Sequence, residues 1–204
     1  ENHWQEKCAQ ISEDLESFRF APDYSPHIRT GTCLHEDVVD FGEAIDLAIF
    51  SPPYANRFDY FEAFKMELWM GDFVRSQADM ARLRQNSMRN NLAAPRFESG
   101  NSWEGLAPFL QVMDEKASSV RMGIKSALEG YFHDMRTLLQ NLRRVLARRG
   151  EVAIVVGNSA YARSIIPTDA LIARIALEEG YAVQAVCIAR HLHVSSQQRS
   201  KLAH

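Results

Sequence analysis

Short apolar runs separated by stretches of helical periodicity constrain this chain more than any other feature. Residues 45–50 read IDLAIF, 151–156 read EVAIVV and 181–189 read YAVQAVCIA. Each is apolar almost throughout, the pattern of a strand buried on both faces rather than one that alternates toward water. Residues 27–33 read as a fourth, short strand. Around them the apolar spacing changes to three and four: Trp4, Cys8, Ile11, Leu15 and Phe18 predict a helix over 3–18. Helices are also predicted over 61–70, over 110–149 with Gly150 as the stop, and over 167–179, opened by Pro167 and closed by Gly180. Strands alternating with helices define an α/β, doubly wound chain with a mostly parallel sheet covered on both faces. One edge has room for an antiparallel strand. In such sheets ligands bind where the strands end at their carboxyl side.

At 204 residues, 46% hydrophobic and 24% charged, the sequence describes one globular domain, residues 1–204, rather than a fibrous or disordered chain. No apolar run approaches the roughly 20 residues that cross a bilayer, and the first residues do not read as a signal peptide. Cys8, Cys33 and Cys187 are odd in number, far apart and without CxxC spacing, so reduced thiols in a cytoplasmic protein are expected rather than a zinc site or a disulfide framework. His191 and His193 have no third ligand at metal spacing. No membrane contact and no metal are expected.

The net charge of −3 conceals a polarity, because residues 1–46 hold eleven acids against three bases. Residues 73–99 carry Arg75, Arg82, Arg84, Arg89 and Arg96 against Asp79 and Glu98, without a lysine. Guanidinium groups present a planar fork of donors that suits phosphates, which makes Arg82, Arg84 and Arg89 candidates for nucleic-acid contact. A solvated helix face would have the same composition. Residues 71–130 are too long for a plain connection and are expected to form a helical insertion, a candidate target-recognition cap.

The run at 45–50 is closed by Ser51, Pro52, Pro53 and Tyr54, and aromatics resume at once. Proline fixes φ and donates no hydrogen bond, so the pair holds neighbouring carbonyls rigid and free to accept. The Ser51 hydroxyl adds an acceptor and Tyr54 a flat ring. Together they suit a planar molecule bearing an exocyclic amino group. The plainer reading is a proline-terminated strand whose tyrosine caps the core.

"DLAIFSPPYANRFDY" resembles the catalytic motif, with its preceding strand, of the amino-methyltransferases that methylate exocyclic nitrogens of DNA bases. "RGEVAIVVGNSAYARSIIPTDALIARIALEEGY" is similar to a later strand, Gly-Asn-Ser turn and helix of the same fold. The resemblance covers most of residues 28–189. It implies a Rossmann-like, class I methyltransferase sheet, S-adenosylmethionine as cofactor and DNA as partner. The target base would flip out of the stack, its face packing on Tyr54 while its amino group donates to Ser51 and the Pro52 carbonyl. Serine as first motif residue leans toward cytosine N4 over adenine N6. Asn56, Arg57, Asp59, Tyr60 and Asn158 would shape the base pocket, with an Arg–Asp pair that merely holds the loop as the alternative for Arg57 and Asp59. Thr32, Cys33 and Ser51 would face the cofactor.

The chain departs from that family in two respects. No F-x-G-x-G turn is present among its ten glycines, and the family's Gly-Asp is replaced by Gly31, Thr32 and Cys33. The sheet is therefore expected to be incomplete in its N-terminal half, with a second polypeptide or an upstream segment supplying the glycine turn. The isolated chain is expected to bind cofactor weakly and to be found associated. A catalytically inactive methyltransferase-like subunit that binds nucleic acid or a partner is the alternative. An enzyme acting on RNA or on a protein glutamine is a third reading, and Ser51 disfavours the protein-glutamine form of it, whose enzymes usually carry Asn-Pro-Pro-Tyr.

Overall fold

The computed structural model describes residues 2–17, 26–56, 58–90, 92, 94–97, 103–114, 123–161 and 164–190. Contacts divide the chain into two units, residues 1–30 and 31–204. The first holds helix α1 (Asn2–Ser17), with the expected apolar stripe of Trp4, Ile11 and Leu15 exposed. Phe18 falls outside the described residues.

The expected strand at 27–33 does not form. Its backbone is irregular up to a tight turn in which His35 N donates to Thr32 O, and helix α2 (Glu36–Val39) follows. The stretch HIRTGTC is mostly polar, with Gly31 in its middle, and has little to gain from extension without a neighbour to pair with.

Strand β1 (Ile45–Phe50) stands where expected and lies parallel to β2 (Leu146–Ile154). Helix α3 (Tyr60–Ala63) and α4 (Lys65–Met70) replace the single helix expected over 61–70, with the break at Phe64. Helix α5 (Gln77–Gln85) is opened by Ser76, whose hydroxyl accepts from Asp79 N. A 3-10 turn (Glu104–Leu106) leads into α6 (Ala107–Asp114), and α7 (Ile124–Val145) follows. The long helix expected over 110–149 is thus α6 and α7, with 115–122 outside the described residues.

Helix α7 buries Ile124, Leu128, Tyr131, Met135, Leu138 and Leu142, spaced three and four apart, and organises the core. It ends at Val145 rather than at Gly150, because Leu146 turns extended and pairs with Ile45. Register then slips between Ile45 and Leu47, which faces Glu151, so β2 accommodates extra residues there. Gly150 is what allows this: a Cβ on it would lie 2.7 Å from Ile45 O.

Beyond β2 come a short antiparallel hairpin, β3 (Ser159–Tyr161) with β4 (Ser164–Ile166), and then α8 (Thr168–Glu178). Helix α8 packs on α7, and α6 packs on β4. As the sequence predicts, α8 stops at Gly180, which takes a left-handed φ of 82° while Tyr181 N donates back to Ala176 O. Tyr181 hydroxyl donates to Leu139 O at 2.6 Å, tying the helix end to α7, and burial pushes this phenol's pKa up to about 12. The strand expected at 181–189 forms no ladder, and Val183, Val186 and Ile188 are exposed.

Ala48, Phe50, Val152 and Ile154 pack one sheet face against the core. The opposite face is not covered as the apolar runs suggested: Leu47 is 52%, Ile49 69% and Val155 53% exposed. Among the described residues, no helix is long and apolar enough to cross a membrane.

Candidate active site

The strand β1 delivers Ser51 to the carboxyl edge of the parallel pair. Val155 N donates to Phe50 O at 3.0 Å, and Ser51 Oγ donates back to Val155 O at 3.0 Å. The turn is therefore stapled to the segment leaving β2. With its proton committed to Val155, the exposed Ser51 hydroxyl presents lone pairs outward. Pro52 is buried, and Pro53 and Tyr54 are half-buried.

After the prolines the chain doubles back tightly, Asn56 N donating to Tyr54 O at 2.7 Å. Tyr161 hydroxyl, from β3, donates to Ala55 O at 2.5 Å, and both residues are buried. Asn56 Oδ1 accepts from Phe58 N at 3.1 Å, and Asn90 Nδ2 donates to Phe58 O at 2.8 Å. Asp59 caps α3 by accepting from Glu62 N at 3.1 Å. Its second oxygen takes Arg84 at 2.9 Å, and Arg84 also reaches Glu62 at 3.5 Å. The loop-holding arginine is thus Arg84; Arg57 lies outside the described residues. Tyr60 opens α3 and meets Phe58 edge to face, with ring centroids 4.8 Å apart.

Behind this turn sits Tyr131 of α7, in the same apolar cluster as Ala55 and Tyr161. Its side chain is fully buried, and its hydroxyl has no hydrogen-bond partner among the described residues. Burial raises its pKa above the ordinary phenol value, and the neighbouring phenols of Tyr60, Tyr54 and Tyr161 raise it further. Tyr54 and Tyr60 of the 51–60 loop are thus joined by two tyrosines from outside it, Tyr131 and Tyr161, and the sequence pointed only to the first pair. Tyr161 lies within the second matching stretch, but nothing in its spacing announces a contact across 106 residues.

The remaining candidates lie elsewhere. Asn158 is exposed and pairs reciprocally with Asp169 at the start of α8: its Nδ2 donates to Asp169 Oδ2 and its Oδ1 accepts from Asp169 N, both at 3.1 Å. Thr32 and Cys33 occupy the turn before α2. Asn141 Nδ2 donates to Cys33 O at 3.2 Å and Leu34 O at 3.1 Å, while Thr32 Oγ1 accepts from Leu34 N. Burial pushes the Cys33 thiol's pKa up, which keeps it protonated. The polar groups of this turn are spent on the turn itself and on α7.

The three candidate arginines are all engaged by carboxylates. Arg82 pairs with Asp79 on the exposed face of α5, and Arg84 with Asp59. Arg89 grips the buried Asp134 of α7 through its own N at 2.8 Å and its guanidinium, lying over the Phe97 ring at 5.0 Å. Gly130 makes room for it, since a Cβ there would sit 3.0 Å from Arg89 Cδ.

An α/β chain with a small parallel sheet and a proline turn at its carboxyl edge is compatible with a methyltransferase fold. Comparison with known proteins agrees with that class. The chain is 26% identical over 156 residues to the type II methyltransferase M.AvaI of Nostoc sp. (strain PCC 7120 / SAG 25.82 / UTEX 2576), and equally to M.AvaI of Anabaena variabilis. Those matches cover 70% of this chain and 32% of each relative. It is 27% identical over 179 residues to the type II methyltransferase M.BsoBI of Geobacillus stearothermophilus, covering 76% of this chain and 35% of that one. The chain thus spans about a third of the length of the curated relatives it matches. No family model matches it, and neither does any solved structure.

Proposed function

We propose that this chain is the base-handling part of a DNA methyltransferase that modifies an exocyclic amino nitrogen, cytosine N4 in preference to adenine N6. The observation that carries the reading is the Ser51 hydroxyl, oriented by donation to Val155 O so that it can only accept from an incoming group. Ser51 and the Pro52 carbonyl take the two amino hydrogens of a flipped base, and Tyr54 packs against its face. With both hydrogens held, the nitrogen lone pair is directed away from the ring plane, and the amine becomes a better nucleophile without a covalent intermediate. Asn56, Asp59 and Tyr60 act by holding the loop, with Asn158 fixing the neighbouring end of α8.

S-adenosylmethionine would supply the methyl group. Thr32 and Cys33 do not complete its cradle, so a second polypeptide or another segment of the same one carries the glycine turn. The uncovered apolar face at Leu47, Ile49 and Val155 supports this reading, because parallel sheets are normally covered on both faces. The Rossmann-like sheet would then be completed by that polypeptide or segment, the assembled enzyme acting in the cytoplasm where the DNA is. The helices between 71 and 130 would form the recognition cap, with Arg82 as its phosphate contact. A methyltransferase-like subunit without activity of its own is the second reading, favoured by the same closed turn at Thr32 and Cys33.

The test is single-turnover methyl transfer to unmethylated DNA beside DNA-binding titrations, on the assembled protein. Ser51→Ala should slow transfer at least ten-fold, the worth of about one charge-polarised hydrogen bond, with duplex affinity unchanged. Tyr54→Ala should weaken capture of the base by roughly 1–3 kcal/mol, and Tyr54→Phe should retain most activity. Transfer unaffected by both Ser51→Ala and Tyr54→Ala would reduce the turn to a strand terminator. Absence of transfer in the assembled parent protein would favour the inactive subunit.

A further inference from the structure

We propose that the Phe58 ring is the wedge of this site, entering the base stack where the target nucleotide leaves it and so keeping that nucleotide extruded. The inference rests on the base-capture reading above and adds to it a residue that meets the duplex rather than the flipped base.

An exposed phenylalanine needs no explanation by itself. Phe58 is distinguished by how it is held. It is 46% exposed, in a polar stretch between Asn56 and Asp59. Both of its backbone groups are nonetheless taken: its N donates to Asn56 Oδ1 at 3.1 Å, and its O accepts from Asn90 Nδ2 at 2.8 Å. Asn90 is buried, so a polar side chain is drawn out of water to fix this one carbonyl. The ring is braced as well, edge to face against Tyr60 at 4.8 Å, and Asp59 between the two is held by Arg84. Ordering an apolar ring while leaving much of it in water gains little for the fold. It suits a ring that must enter a stack, because apolar wedges unstack a base step and freedom given up beforehand is not lost on binding.

Hydrogen bonds tie the ring to the base site. Asn56 N donates to Tyr54 O at 2.7 Å, and the side chain of the same Asn56 holds Phe58 N. Two tight turns in succession therefore lead from Tyr54 to Phe58, a distance that four residues could not stretch beyond roughly 14 Å even when fully extended. An extruded base stays tied to its own sugar, so the ring that receives it and the gap it leaves lie within a nucleotide's reach of each other. Extrusion is uphill for a paired base and easier for one already mismatched. A ring that fills the vacated place offsets the lost stacking, and its contribution is needed only where extrusion is uphill.

The position that the assembled parent protein methylates, once mapped on unmethylated DNA, supplies two duplex oligonucleotides, one with the target base paired and one with a mismatch opposite it. On the paired duplex Phe58→Ala should slow single-turnover transfer roughly ten-fold, and Phe58→Leu should keep most of the rate because leucine also serves as a wedge. On the mismatched duplex Phe58→Ala should come within about two-fold of the parent. Phe58→Ala transferring to the paired duplex as the parent does overturns the proposal. An equal deficit on both duplexes also overturns it, by assigning the ring to the loop or to the captured base. Ser51→Ala, run in parallel, should be equally slow on both, since it acts after extrusion. The two ideas fail separately. Slow Ser51→Ala beside a fully active Phe58→Ala removes the wedge alone. Unimpaired Ser51→Ala and Tyr54→Ala beside a Phe58→Ala deficit confined to paired DNA remove base capture by those residues and leave the wedge, whereas a parent that transfers nothing to DNA removes both.

Discussion

Tyr161→Phe deletes one oxygen from the cluster behind the proline turn, and the structure assigns that oxygen a share of the stability. Tyr161 hydroxyl donates to Ala55 O at 2.5 Å, with Ala55 2% and Tyr161 6% exposed. Deleting the oxygen withdraws a donor from a carbonyl that water does not reach in its place. The penalty for stranding a buried acceptor is about 1–3 kcal/mol. At roughly 2–4 °C of melting temperature per kcal/mol for a chain of this size, the expected fall is about 2–12 °C. Scanning calorimetry measures it, and urea unfolding with an unchanged denaturant slope shows that the native state alone was altered. Because Ala55 follows Tyr54 directly, single-turnover transfer should fall as well, through loosening of the turn. A Tyr161→Phe protein melting within about 1 °C of the parent would refute the reasoning, since even the lower bound for a lost buried bond exceeds that.

The other perturbations concern the arginine-rich segment and helix α5. Asp79 accepts from Ser76 Oγ and Arg75 N and pairs with Arg82, which lowers its pKa to about 2. Its folded value lies below the unfolded one, so its contribution is present above about pH 4 and is lost as pH falls toward 2. Amide hydrogen exchange of α5 should accelerate over that window in the parent and show no such step in Asp79→Asn. Asp134→Ala strands the partly buried Arg89 and should cost about 3–5 kcal/mol in urea unfolding, whereas a loss below 1 kcal/mol would mean the pair is solvated. Arg82→Ala should leave stability unchanged and reduce the salt slope of DNA binding by about one; an unaltered slope would confine Arg82 to its pair with Asp79.

What could be read from the residues alone was what is local. The strand β1, its proline stop and the aromatic turn are encoded within fifteen consecutive positions, and helix α8 is bracketed by Pro167 and Gly180. The end of α7 was not legible, because nothing in Leu146, Ala147, Arg148 and Arg149 breaks a helix; Leu146 is recruited by pairing with Ile45 of β1, about a hundred positions earlier, and the other three follow it through the register shift. Residues 181–189 failed as a strand for the complementary reason, since an apolar run specifies extension only where a neighbour offers a ladder, and the mostly polar residues 27–33 had less still to hold them extended. The same division runs through the site. Ser51 and Tyr54 are conspicuous in the chain, but what orients them is not: Val155 holds Ser51, Tyr161 holds Ala55, Arg84 holds Asp59, and Asp134 anchors Arg89. Arginines that by composition suggest phosphates are, for Arg84 and Arg89, ties between the loop, the segment after α5 and helix α7. A motif thus identifies the groups that meet a base, while the precision with which they meet it is set by residues with no motif at all.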